Sequence, residues 1–75
     1  MAATQQLTGA AQALFVSALQ PSDRPAPDQV RDAIVTSLAA YRDASGCAAK
    51  MAAEFGEYPE QAADRMRWAL GLVAA

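Results

Sequence analysis

The chain contains no histidine and a single cysteine, Cys47, among 75 residues. Without histidine there is no imidazole to act as a general base near neutral pH or to hold a catalytic metal. With one cysteine there is neither an intramolecular disulfide nor a resolving partner for a reactive thiol. Aromatics make up 7% of the residues, and only four glycines are present, none arranged as a phosphate-cradling loop. No apolar run approaches the ~18 residues needed to cross a bilayer. Basic residues are few: one lysine and five arginines stand against eight acidic side chains, giving a formal charge of −2. No helix carries a basic polar face suited to a membrane surface. These absences leave no nucleophile elbow, no pocket-sized volume and no metal constellation. We therefore expect no catalytic, cofactor-binding or metal site, no small-molecule substrate, and no enzyme.

What is present is helix-forming and apolar. Hydrophobic residues reach 53%, and much of that is alanine. Alanine favours helix strongly yet buries little area, so the core should be thin. The length predicts one domain covering residues 1–75. A chain of this size buries only ~60–65% of its unfolded surface, which favours self-association or a protein partner. The N-terminus lacks a basic region followed by an uninterrupted apolar run, so no signal peptide is expected and the cytoplasm is the predicted location. The arginine preference with abundant alanine fits a GC-rich bacterial gene.

The pattern predicts an all-α bundle of four helices. The first should span about 4–20, after frayed residues 1–3, with Thr4 as cap and Leu7, Ala11, Leu14, Phe15, Ala18 and Leu19 as its stripe. Pro21 ends it, and residues 21–26 form a stiff, proline-rich link. Pro27 opens a second helix to about 43, facing inward through Val30, Ala33, Ile34, Leu38 and Tyr41. Gly46 is expected to stop it in a left-handed conformation. The third helix, about 47–55, would face inward through Cys47 or Ala48, Met51, Ala52 and Phe55, with Gly56 ending it. Pro59 opens the fourth, to about 73, with Ala62, Met66, Ala69, Leu70 and Val73 on one face. Tyr58, in the turn, is expected to staple onto this last helix.

The last two helices form a helix-turn-helix-like corner. Ala52 and Gly56 supply the small residue and turn glycine of such a motif, but Arg65 occupies a position that should be apolar. A turn one residue longer uses Ala63 and Met66 instead. The segment MAAEFGEYPEQAADRMRWA resembles the DNA-reading part of bacterial sigma-factor region 4, over about a quarter of the chain. That resemblance implies a small transcriptional regulator, with Arg65, Arg67 and Lys50 as candidate DNA contacts. Glu54, Glu57, Glu60 and Asp64 oppose it electrostatically. They are read as solvated charges, lacking the spacing of a calcium loop.

Trp68 falls roughly 120–140° from the centre of the fourth helix's expected inner face. With Arg65 and Leu72 beside it, and Phe15 and Leu19 as spare apolar surface, it marks a candidate partner interface. The competing reading covers Trp68 within the chain, under the first helix or the proline link. Cys47, near a helix N-terminus, is read as a small buried residue. Together LFVSALQPSD, QVRDAI, GCAAKMAAEFGEYPE and RMRWA resemble a class of small actinobacterial proteins, which implies a bacterial all-helical protein and no particular activity. The leading expectation is a non-enzymatic helical interaction or accessory module, self-associating or serving a larger partner.

Overall fold

The structure, a computed structural model, describes residues 2–74, with side chains from Thr8 onward. Four helices, α1 (Ala2–Phe15), α2 (Pro27–Ala40), α3 (Ala44–Glu57) and α4 (Pro59–Ala74), pack into one all-α bundle. Among the described residues none forms a strand, and no helix is long and apolar enough to cross a membrane. Helix α1 begins at Ala2, inside the segment expected to fray, while the Thr4 cap and the inward Leu7 lie outside the residues whose side chains are described.

Helix α1 stops at Phe15, five residues before the expected end at Gln20. Ser17 is the cause. Its hydroxyl donates to the Leu14 carbonyl at 2.6 Å and accepts the Leu19 N–H at 3.3 Å. The Leu19 N–H is the donor that a continuing helix would give to the Phe15 carbonyl, so the side chain has captured the backbone's own bond. One turn on, the Ser17 carbonyl would need the N–H of residue 21, a proline that has none. A short 3-10 turn, Pro21–Asp23, follows, with the Gln20 N–H held by Asp23 Oδ2 at 2.8 Å.

Pro27 starts α2, and Gln29 reaches back to the Ala26 N–H at 2.7 Å. The helix ends at Ala40, earlier than expected, because Arg42 takes the left-handed backbone (φ 77) that Gly46 was expected to adopt. Asp43 then caps α3 by accepting the Gly46 N–H at 3.0 Å. Gly46 lies inside the first turn of α3. A Cβ at that position would sit 1.8 Å from the Tyr41 carbonyl oxygen, so glycine is required by close approach of the preceding chain rather than by its torsion.

Gly56 also sits within a helix, with open space around it. The corner between α3 and α4 is Tyr58 alone. Its N–H closes α3 on the Glu54 carbonyl (2.8 Å), and its carbonyl accepts the first bond of α4 from Ala62 (2.9 Å). A helix-turn-helix turn usually holds three or four residues; this corner is tighter, and Tyr58 is 53% exposed instead of stapled onto α4.

Leu14, fully buried, sits with Ala11 and Ala69 at the centre of the core. Val30, Ala33 and Ile34 of α2, with Met66, Trp68, Leu72 and Val73 of α4 and Leu19 from the link, pack around them. Among the residues whose burial is described, four of the seven buried apolar ones are alanines, which let helix backbones approach closely but bury little side-chain area. Two expected inward residues, Ala18 and Ala52, are exposed. Leu70 is 44% exposed, while Leu72 and Trp68 pack inward. The buried face of α4 is therefore turned by about 50–60° from the face its hydrophobic residues mark, taking ~100° per residue.

Candidate functional site

Arg65 explains that turn. From the middle of α4 it donates from Nε to the Phe15 carbonyl at 2.6 Å, and from a terminal nitrogen to the carbonyls of Ser17 (3.0 Å) and Leu19 (2.8 Å). The Phe15 carbonyl closes α1, and those of Ser17 and Leu19 follow just past its end, where Pro21 has no N–H to give Ser17. A cation at a helix C-terminus also matches the negative end of the helix dipole. Arg65 is thus a cap for α1 delivered from another helix. Its guanidinium lies 4.7 Å from the Trp68 ring centroid and 5.9 Å from that of Phe15. Phe15 in turn stacks on Phe55 of α3 at 5.8 Å between ring centroids. Burial lowers the Arg65 pKa and Glu54 raises it, in that order of size. The guanidinium remains charged throughout.

Above this unit a cleft of about 320 Å³ opens between the tail of α1, α3 and α4. Phe15 and Arg65 line it, with Val16, Glu54, Tyr58 and Gln61 among its other walls. Lys50, also at the cleft, pairs with Glu54 at 3.4 Å across one turn of α3. Of the five residues named as a candidate partner interface, the structure gathers Phe15, Arg65 and Trp68 into one stack. Leu19 and Leu72 pack, with Trp68, against the apolar cluster of Ala11, Leu14 and Ala69. Only Phe15 and Arg65 also reach the cleft.

The candidate DNA contacts are placed differently. Arg65 is spent on three carbonyls, Arg67 pairs with Asp64 one turn away, and Lys50 pairs with Glu54. The Arg67 pair is largely exposed and open to exchange with water. Sequence reasoning passed over Gln61, Val16 and the exposure of Tyr58. Val16 reaches the cleft because α1 has already ended at Phe15, while Gln61 and Tyr58 reach it from the first turn of α4 and the corner before it.

Cys47 is fully buried, its thiol directed at the Ser37 carbonyl at 3.7 Å between α2 and α3. Burial, and secondarily Asp43, raise its pKa above the ordinary thiol range. Two outcomes are expected. In the folded protein the thiol should react with an alkylating reagent at least about 100-fold more slowly than in urea-unfolded chain, as thiolate and access are both reduced. The unfolded thiol ionises first, so the stabilisation tied to the protonated thiol is complete below ~8.5 and is lost as pH rises toward the raised folded value. Alkylation kinetics and urea melts at several alkaline pH values check both. Equal alkylation rates in the two states would contradict the burial.

Comparison with protein-family models, curated proteins and solved structures yields no match to this chain.

Proposed function

We propose that this chain is a non-enzymatic helical interaction module, and that the cleft beside Tyr58 receives a segment of a protein partner. Its proposed setting is the cytoplasm of an actinobacterium. The observation that carries the reading is Tyr58. A large aromatic, 53% exposed, stands on a corner of one residue beside an open cleft, where its backbone is held from both sides. Tyrosine on a rigid support supplies contact area at low entropic cost, which is why it is enriched at interface hot spots. The cleft wall is apolar at Phe15 and Val16 and polar at Glu54 and Gln61, so a partner side chain can bury its stem and keep hydrogen bonds at the rim.

The test is affinity capture with the intact chain, followed by titration of the captured partner. Tyr58→Ala is expected to weaken binding at least tenfold while leaving the melting curve nearly unchanged, since Tyr58 is exposed. Unchanged affinity in Tyr58→Ala and in Gln61→Arg would sink the cleft as the docking site. The alternative, a helix-turn-helix regulator, is less well supported because each cation named for it already has an acceptor within the chain. A salt-dependent shift of duplex DNA at ~50 mM salt would revive it.

A further inference from the structure

Arg65 closes α1 with only part of its donor capacity. A guanidinium carries five N–H groups. Nε uses one on the Phe15 carbonyl, and a single terminal nitrogen, Nη2, bonds the carbonyls of Ser17 and Leu19. The other terminal nitrogen, Nη1, keeps its two N–H groups with no acceptor among the described residues. It is not sealed away. No side-chain nitrogen or oxygen among the described residues is both buried and unpartnered, so Nη1 reaches solvent. With Trp68 and Phe15 beside the guanidinium and its other donors bonded, Nη1 is the polar edge left for an occupant.

Arg65 also lines the cleft, where the balance of charge is opposite to that of the chain. Lys50 and Arg65 stand there against Glu54 alone, whereas eight acidic residues outnumber six basic ones overall. Lys50 and Glu54 form an i, i+4 pair with 47% and 41% of their side chains exposed, which contributes little and exchanges readily. Arg65 is held by three bonds and two rings, so its remaining N–H groups are oriented before anything binds. One carboxylate fits this edge. Its charge balances the surplus cation, and its oxygens can accept both N–H groups as charge-assisted bonds. A duplex would need cations spaced along several phosphates, and the cleft offers two beside a carboxylate.

We propose that the cleft receives an acidic segment of a protein partner, with an Asp or Glu carboxylate on Nη1 of Arg65 and its methylene stem against Phe15 and Val16. This rests on the reading of the cleft beside Tyr58 as the docking site, and names the chemistry that fills it.

The probe is a library of short random linear peptides displayed on phage, selected against the intact chain, with Tyr58→Ala as a parallel target. Peptides that bind the wild type and not Tyr58→Ala should be enriched in Asp or Glu at one position, beside an apolar residue. In a synthetic copy, replacing that carboxylate by its amide should weaken binding at least about tenfold. Lys50→Glu reverses the surplus charge of the cleft and should weaken the peptide about three- to tenfold, whereas Glu54→Gln should tighten it about two- to threefold. Both side chains are partly exposed, so both variants should melt like the wild type. Arg65 itself holds α1, so its part is read without mutation. Its guanidinium proton signals in nitrogen-15 NMR should shift on adding the peptide, and those of Arg31 and Arg67 should not.

Tyr58-dependent peptides with no preferred carboxylate, an amide copy that binds as tightly, equal binding by Lys50→Glu, or unmoved Arg65 signals would each overturn the acidic segment and leave the cleft standing. Displacement of the peptide by random duplex DNA at about 150 mM salt would assign the edge to phosphate and overturn it as well. Absence of any Tyr58-dependent peptide would remove the cleft itself, so the two failures are separately visible.

Discussion

Arg65→Met is expected to lower the stability of the protein by about 2–4 kcal/mol, as read by urea denaturation. Methionine keeps most of the side-chain stem against Phe15 and Trp68, so the loss isolates the guanidinium. Three carbonyls, those of Phe15, Ser17 and Leu19, lose their donor at once. Hydrogen bonds to a charged group contribute ~1.5–3 kcal/mol each in favourable cases. The sum is smaller here, because the site is half-buried and water replaces part of what is removed. The cation held over Trp68 and Phe15 adds about 0.5–1 kcal/mol. A domain of this length has a total stability of about 4–11 kcal/mol, so the variant sits near the folding threshold at the lower end of that range. Arg65→Lys, with one ammonium in place of a planar fork, should recover only part of the loss. Arg67→Ala, on the exposed face of the same helix, should cost less than about 0.5 kcal/mol. If Arg65→Met melted like Arg67→Ala, the capping of α1 by α4 would be wrong.

Gly46→Ala should be the other severe change, destabilising by at least about 2–3 kcal/mol. Glycine to alanine inside a helix ordinarily stabilises, by up to ~1 kcal/mol. Here the added methyl meets the Tyr41 carbonyl oxygen at 1.8 Å, and the contact is with backbone. That backbone has little room to retreat. The Tyr41 N–H is bonded to the Ser37 carbonyl, Arg42 is already left-handed, and only three residues join α2 to α3. Gly56→Ala provides the contrast. Gly56 is helical with nothing near its would-be Cβ, so that change should stabilise by about 0.5–1 kcal/mol. Thermal melts of the two variants check the sign directly, and a stabilised Gly46→Ala would refute the close approach of Tyr41.

Both predictions concern residues whose roles the chain alone does not announce. Gly46 reads as a helix stop, yet it lies in the first turn of the next helix, six residues past the end of α2 at Ala40. The stop belongs to Arg42, and glycine is needed because α3 starts so soon that its first turn runs into the carbonyl behind it. Arg65 reads as a rim residue for a partner or for DNA, because a charged side chain in a thin core looks outward by default. Its acceptors, at Phe15 to Leu19, are some fifty positions away in sequence. Trp68 follows from Arg65. Once the guanidinium is drawn toward α1, the residue one turn along is carried inward, and Leu70 is carried out.

The number of helices, their order and their all-α class were legible in the amino-acid pattern. Those features depend on local causes: alanine-rich periodic segments, the missing N–H of Pro21, the preset torsions of Pro27 and Pro59, and side-chain caps within reach of their own turns. Where α1 ends, which face of α4 is buried and which aromatic is left exposed became fixed only on packing. The end of α1 is begun locally by the Ser17 hydroxyl and completed by Arg65, some fifty positions away, whose bonds to the carbonyls of Phe15, Ser17 and Leu19 also select the face of α4 that packs inward. With alanine on so much of every helix, the hydrophobic term barely distinguishes one face from the next. One arginine with three carbonyls to satisfy can then set the rotation of a helix.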